Sequence, residues 1–534
     1  MKTVLRLAKG RFDVVVVPCF EKGPDLSTDE ALDDACRETV DLARRRKVFA
    51  GKSAEVCIQV RVGAKPDLVA LLGLGADATL DLERLRSSFG ALSRRLVALG
   101  AARSCVRLRG PALAAVCKAH GHEASARALV EGALLGAYSF DLKSGKKKRR
   151  KETTLIVDPA GLGTAERAAV ARGVRSGAAI AAAVNTARDL GNTPANQLDP
   201  ASLANRARAI ARRSGLRVRV LTRRDLERER MGAFLAVAGG SDRPPRFIVL
   251  EHRPSRAAKK TLVLVGKAVT FDSGGLSIKP ARGMEDMKFD MAGGAAVIAA
   301  LEAIAALDVG IHVIGLVPSA ENSIGGSAYR PGDIVRSASG RTIEVINTDA
   351  EGRLLLADAL HYARRYDPDA VIDIATLTGA CVVALGAAAT GLVASDRALA
   401  ADILAAADAS GERVWELPLL DEYREMVKSP VADLRNSAGR DAGVSTAAAF
   451  LAAFIEGVPW AHLDIAGTGW GRQDRGYHAR GATGVGVRLL CEVALRLAAP
   501  GRPAARRERT GKRRVARARS PGADRRSSRS ARRG

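Results

Sequence analysis

Apolar positions recur in two rhythms along the chain. Before residue 150, apolar runs such as FDVVVVPCF, EVCIQVRV and DLVALLGLG alternate with stretches such as DEALDDACRETVDLARRRK, whose apolar positions return at helical spacing. That alternation predicts a smaller α/β domain over residues 1–160. Residues Thr164 to Leu190 are Ala-rich and helix-prone, and they run into GNTPANQLDP, whose Gly, Asn and Pro break any helix. A connecting helix within 161–192 is the expectation. From 193 to about Pro500, strand-like runs (RVRVL, RFIVLEH, TLVLVG, IHVIGLVP, TIEVINT, AVIDIATL, AHLDIAG) alternate with Ala-rich helical segments. They predict a larger α/β domain over 193–500, with a mostly parallel sheet flanked by helices.

Composition adds the last segment. The chain has 534 residues, 47% of them hydrophobic, which is too long for one ordinary domain and ample for buried cores. Its net charge of +26 is uneven: the segment from Gly501 to Gly534 carries 14 Lys or Arg against Glu508 and Asp524. That tail has almost no large apolar residue and cannot offset its own ordering entropy, so 501–534 is predicted to be disordered. An arm for nucleic acid or another polyanion and a solvated extension without a partner both fit it. The six consecutive cations from Lys146 to Lys151 read as an exposed loop before the strand TTLIVDP, with nucleic-acid contact the lesser alternative. The seven cysteines are scattered and never form CxxC, which suits reduced thiols in the cytoplasm. The apolar run near the amino terminus is too short for a signal peptide or a membrane span, so no membrane partner is expected.

Candidate chemistry gathers in two places. GKAVTFDSGGLSIKPARGMEDMKFDMAGG, from Gly266 to Gly294, follows the apolar run TLVLV, and open α/β sheets hold ligands beyond the carboxyl ends of their strands. Lys267, Asp272, Lys279 and Asp290 stand there among glycines that let the backbone turn tightly. NTDAEGRL then follows TIEVI and precedes the helical stretch LLLADALHYARR, packing Asp349, Glu351 and Arg353 into one turn. Any one of these carboxylates alone reads more simply as a solvated turn residue. Two carboxylates aimed at one spot are unfavourable unless a cation lies between them, and hard oxygen donors suit Mg, Mn or Zn.

VGKAVTFDSGGLSIKP, KFDMAGGAA and NTDAEGRLLLADAL resemble the leucyl (cytosol) aminopeptidase family of two-metal peptidases, whose signature is NTDAEGRL. The resemblance continues through ENSIGGSAYRPGDIV, AVIDIATLTGAC, AHLDIAGTGW and GATGVGVRLL, and covers Leu190 to Ala499; the amino-terminal part resembles the family's variable domain more weakly. It implies two divalent ions, Mn or Zn with Mg a third option. Their ligands would be Lys267, Asp272, Asp290, Asp349 and Glu351, with Asp272 and Glu351 bridging, and Lys279 and Arg353 would be the catalytic residues that bind no metal. The family's Arg holds a bicarbonate that shuttles protons. The implied activity is removal of leucine-like residues from peptide amino termini by a water between the metals. A homohexamer follows from the same resemblance.

The apolar pocket positions implied by the resemblance are Met287, Thr376, Gly379, Ala466 and Gly469, each of which also reads as a core or turn residue. Ser445 stands where relatives commonly carry isoleucine, which predicts a change at the pocket rim or at an oligomer contact. The Arg-rich tail lies outside the usual family pattern. A two-metal phosphoesterase and a nucleic-acid-binding protein using the basic stretches are the competing functions. Gly73, Gly75 and Ala78 match GxGxxA only loosely, with no acidic ribose ligand at the proper spacing. His120 and His122 lack a third ligand and read as a surface turn, while His312, His361 and His462 read as packing residues.

Overall fold

Two β-sheets joined by one long helix organise the chain, whose computed structural model describes residues 1–5, 12–22, 34–61, 66–77, 81–143 and 152–499. The basic stretch 146–151 and the tail 501–534 lie outside the described residues. The first sheet runs, in spatial order, Lys2–Leu5, Thr154–Asp158, Arg103–Arg107, Val14–Phe20, Leu68–Gly75 and Val56–Val60. Every neighbouring pair is parallel except the last. Central strands covered on both faces must be apolar throughout, and Val14–Val17 is buried residue by residue. Gly73 is explained by packing: a Cβ there would lie 2.0 Å from the Lys52 carbonyl oxygen. Ala78, the third position of the loose dinucleotide match, is outside the described residues.

Helices Leu82–Leu99 and Thr164–Asn192 both pack against His122–Gly136, and at three glycines the backbones come into direct contact. A Cβ on Gly132 would stand 2.2 Å from the Arg86 carbonyl oxygen, one on Gly136 2.2 Å from that of Gly90, and one on Gly173 2.2 Å from that of Glu123. The first of these helices has a side-chain cap, Asp81 accepting from the Arg84 amide at 2.7 Å, and it stops at Gly100 in the left-handed region.

The second sheet is parallel at its centre, where Trp460–Asp464, Ala370–Ala375, Thr261–Gly266 and His312–Asn322 lie side by side. Its flanks depart from the expected parallel order: Thr390–Ala394 joins Trp460–Asp464 antiparallel, and Arg246–His252 joins both His312–Asn322 and Arg217–Leu221 antiparallel. Antiparallel edges on a parallel centre are common in helix-covered sheets. Arg217–Leu221, at the rim, alternates exposed and half-buried residues as an edge strand should. Helix Ala292–Ala306 is almost wholly apolar and buried against the central strands; its one charged residue, Glu302, meets Arg213 at 2.6 Å.

The sheet-bearing halves meet across charged contacts. Arg86 donates to the Ala409 carbonyl at 3.2 Å, Arg94 to the His478 carbonyl at 2.9 Å, and Tyr477 to Glu83 at 2.6 Å. Arg127 joins Glu131 and Glu492, both at 2.8 Å, while Arg86 Nε reaches the other oxygen of Glu131 at 2.6 Å. No disulfide joins any of the seven cysteines. His462 is more than a packing residue: fully buried, it pairs through Nδ1 with Asp373 at 2.6 Å, and Trp460 donates to the second Asp373 oxygen at 2.7 Å. His312 Nε2 hydrogen-bonds Glu251 at 2.9 Å, and His122 stands 3.7 Å from Glu166.

Candidate metal centre and substrate cavity

Lys267 sits at a break between two strands rather than in a simple turn. Thr261–Gly266 pairs with the first half of His312–Asn322, and Ala268–Asp272 resumes the pairing with its second half. At the break the Lys267 amide bonds the Ile374 carbonyl at 3.1 Å, and its own carbonyl accepts from Gly294 at 2.7 Å. Gly293 makes that approach possible, since a Cβ there would meet the Ile374 oxygen at 2.1 Å. Asp272 therefore lies at the end of a second strand, and the following Gly274 and Gly275, at φ +87° and +64°, turn the chain back. Asp290 follows the 3₁₀ turn Met284–Phe289.

The NTDAEGRL segment also differs from expectation. Its preceding strand, Thr342–Glu344, belongs to a small three-stranded sheet rather than to the main one. The segment is brought to the site by Asn436, whose Oδ1 accepts from Ile346 and Asn347 and whose Nδ2 donates to the Asn347 carbonyl at 2.7 Å. Glu351 immediately precedes helix Gly352–Ala363. Gly352 is needed by its neighbour, because a Cβ there would lie 2.6 Å from the Lys267 side chain.

The two distant stretches converge. One oxygen each of Asp272, Asp290 and Glu351 lie within 4.8 Å of one another, and all three residues are buried. Lys267 Nζ stands 2.8 Å from Asp290, 2.7 Å from Glu351 and 2.9 Å from the Thr376 carbonyl. Lys279 Nζ is 2.8 Å from Asp272 and also contacts Asp349. Burial raises the carboxyls of Asp290, Glu351 and Asp349 above their ordinary range, and their mutual repulsion with Asp272 adds to it. Burial opposes the charge of Lys267, yet Asp290, Glu351 and Asp272 outweigh it and hold the ammonium above its usual range. Four carboxylates against two ammonium groups leave uncompensated negative charge, and a compact set of hard oxygen donors with one amine fits divalent cations.

Above this floor opens a cavity of about 1010 Å³. Met287, Thr376, Gly379 and Ala466 line it, as do Lys267, Asp272, Lys279, Asp290, Asp349 and Arg353. Gly469 is not on its wall; it lies behind, where a Cβ would meet Phe289 at 3.3 Å and Thr376 at 3.4 Å. Ser445 is on the wall, carried by helix Gly443–Ala452. Arg353 is buried, which pushes its guanidinium down to about 10 against the pull of Glu351 and Asp464. Its Nη1 donates to the Asn436 carbonyl at 2.7 Å, while Nε is buried with no hydrogen-bond partner among the described residues.

Sequence reasoning missed Asn322, Tyr329, Asp464 and Asn436 as residues that hold these groups in place, and gave Thr376 only a pocket role. Asn322 donates to Asp272 at 2.8 Å, Thr376 Oγ1 to Asp290 at 2.7 Å, and Tyr329 to the Thr348 carbonyl at 2.7 Å. Asp464 fixes the cavity loop by accepting from Thr378 Oγ1 at 2.7 Å and the Leu377 amide at 3.2 Å. Asn322 and Tyr329 lie in ENSIGGSAYRPGDIV, so the signal was a polar segment at a strand end; Asn436 carried none.

Comparison with known proteins gives matching family models for both halves. The model described as cytosol aminopeptidase family, N-terminal domain, matches residues 16–146, and the catalytic-domain model of the same family matches 185–491. A probable cytosol aminopeptidase of Geotalea uraniireducens (strain Rf4) is 46% identical over 483 residues, covering 90% of this chain and 96% of its own. The solved structure of the bottromycin maturation enzyme BotP in complex with Mn is 37% identical with a TM-score of 0.78, over 91% of this chain and 100% of that one. A mutant of tomato leucine aminopeptidase is 33% identical with a TM-score of 0.82, over 93% and 96% of the respective chains.

Proposed function

The chain belongs to the cytosol aminopeptidase family, whose members are metal-dependent peptidases, and from that membership we propose how this cavity works. Lys267, Asp272, Asp290, Asp349 and Glu351 would hold two divalent ions, Mn, Zn or Mg. The support is the convergence of three buried carboxylates within 4.8 Å, with lysines at the floor of an open cavity. Lys267 takes part as the neutral amine, since dications among the carboxylates reverse the field that now favours its proton. When bound, such ions supply a hydroxide nucleophile at neutral pH and Lewis acidity toward a carbonyl.

The protein's own groups do the rest. The substrate's free α-amine, which an internal peptide bond cannot offer, would be held at the metal-bearing floor, and cleavage is thereby confined to the amino-terminal residue. Lys279, half-buried on the cavity wall, donates to the scissile carbonyl oxygen as negative charge develops there. Arg353, on the cavity wall, would hold a bicarbonate, which would supply a proton shuttle when bound. Met287, Thr376, Gly379 and Ala466, backed by Gly469, accept a leucine-like side chain.

Hydrolysis of leucine p-nitroanilide that chelation abolishes and Mn or Zn restores is the expected result; full activity in Asp349→Ala would remove the ligand assignment. A cytoplasmic location is supported by the name of the relatives. A homohexamer is supported by the family resemblance and by exposed apolar side chains such as Val383 and Trp415, and analytical ultracentrifugation tests it. Family membership favours peptides over phosphate esters. The basic stretches behind the nucleic-acid reading lie outside the described residues, and no relative named above supports that reading.

A further inference from the structure

Building on the metal-dependent reading, we infer that Asn322 is a positioning residue whose carboxamide clasps the two carboxylate-bearing segments together and sets where Asp272 and Asp349 stand relative to each other. Asn322 ends the strand His312–Asn322 and is fully buried. Its Nδ2 donates to Asp272 Oδ1 at 2.8 Å and to the Thr348 carbonyl at 3.0 Å. Thr348 directly precedes Asp349, so one amide group reaches one proposed ligand through its side chain and another through a single peptide unit.

The partners dictate which way the amide faces. Turned by half a revolution, its oxygen would confront two acceptors. In the orientation that results, Asn322 Oδ1 is buried and accepts no hydrogen bond in the structure. An acceptor left so is destabilising, so the group's contribution lies in its two donations. The same Thr348 carbonyl also accepts from Tyr329 at 2.7 Å, and Thr348 Oγ1 donates to the Gly274 carbonyl at 2.7 Å while accepting from the Ser277 amide at 2.8 Å. The clasp therefore ties the turn after Asp272 to the turn before Asp349. Asn322, Tyr329 and Thr348 do not line the cavity, so they act through the ligands and not on substrate.

The test is calorimetric titration of Mn²⁺ into the chelator-stripped full chain, with paramagnetic resonance of the loaded protein. Wild type is expected to take up two ions that show an exchange-coupled signal. Asn322→Ala weakens the weaker of the two bindings by roughly 10- to 100-fold, the range typical for groups that orient metal ligands, and lowers kcat on leucine p-nitroanilide more than it raises KM. Asn322→Asp preserves shape but sets carboxylate against carboxylate, and loses the coupled signal. Wild-type affinity for both ions, with the coupled signal intact, in either folded Asn322 variant overturns the assignment. Should neither variant fold, Tyr329→Phe probes the same carbonyl: weaker uptake of one ion supports the clasp, and unchanged uptake overturns it. A wild-type chain that takes up no Mn²⁺ overturns the metal-dependent reading itself, a separable result.

Discussion

Two buried ionic clusters, one at the junction of the two halves and one beneath the cavity, use the same kinds of side chain and reach opposite states. Glu131 is fully buried, and burial alone would raise its carboxyl; Arg86 at 2.6 Å and Arg127 at 2.8 Å, with Arg488 further off, instead bring it down to about 2. Under the cavity Asp290 and Glu351 share the single ammonium of Lys267, and both are raised. A guanidinium presents a fork of donors to each carboxylate, whereas an ammonium is a point charge that several anions must divide. At the junction Glu131 has two guanidinium partners of its own. On the cavity floor carboxylates outnumber the ammonium groups, an arrangement that suits the metal dependence of the family.

Breaking the junction should have the largest effect on stability. Glu131→Ala removes the buried carboxylate shared by Arg86 and Arg127, leaving them only Glu83 at 3.4 Å and Glu492 at 2.8 Å, and is expected to lower the unfolding free energy by about 3–5 kcal/mol in urea titration while activity per folded molecule is retained. If the loss were below 1 kcal/mol, the claimed pairing would be wrong. At the cavity, Lys279→Ala should reduce kcat by about 10²–10³-fold, or roughly 2.7–4 kcal/mol, with far less change in the unfolding midpoint. Stability and activity are thus expected to separate between the two clusters.

Acid sharpens the contrast next. Glu131 has a folded value of about 2 against an ordinary 4.5, so its contribution is fully present above pH 4.5 and is lost as pH falls toward 2. The loss amounts to roughly 3 kcal/mol, and it should vanish from the pH dependence of unfolding in Glu131→Gln. The smallest effect belongs to an exposed pair: Arg172 and Glu123 meet at 2.7 Å with about half of each side chain in solvent, and Glu123→Ala should cost less than ~1 kcal/mol.

These clusters also differ in how far the sequence revealed them. Lys267, Asp272, Lys279 and Asp290 fall within one segment, which follows strand Thr261–Gly266, and Asp349, Glu351 and Arg353 within another, at the start of helix Gly352–Ala363. Such motifs can be read locally. Arg86 and Glu131 are 45 residues apart and Arg127 and Glu492 are 365 apart, so their pairing depends on how helices pack, which periodicity does not encode. For the same reason His462 read as an apolar-strand residue, although its partner Asp373 lies on the neighbouring strand. The alternation of strands and helices conveyed the α/β class, and the helix-prone run from Thr164 is helical to Asn192. It did not convey that NTDAEGRL hangs from a separate small sheet, since a three-residue strand such as Thr342–Glu344 leaves no directional signature.

The glycine contacts among the three helices of the smaller half bear on motion. Where backbone touches backbone at Gly132, Gly136 and Gly173, neighbouring helices have no layer of side chains to act as lubricant, and sliding past one another would drive carbonyls into main-chain atoms. Any rearrangement of that half must carry the trio as one block, pivoting about its connections rather than shearing within itself.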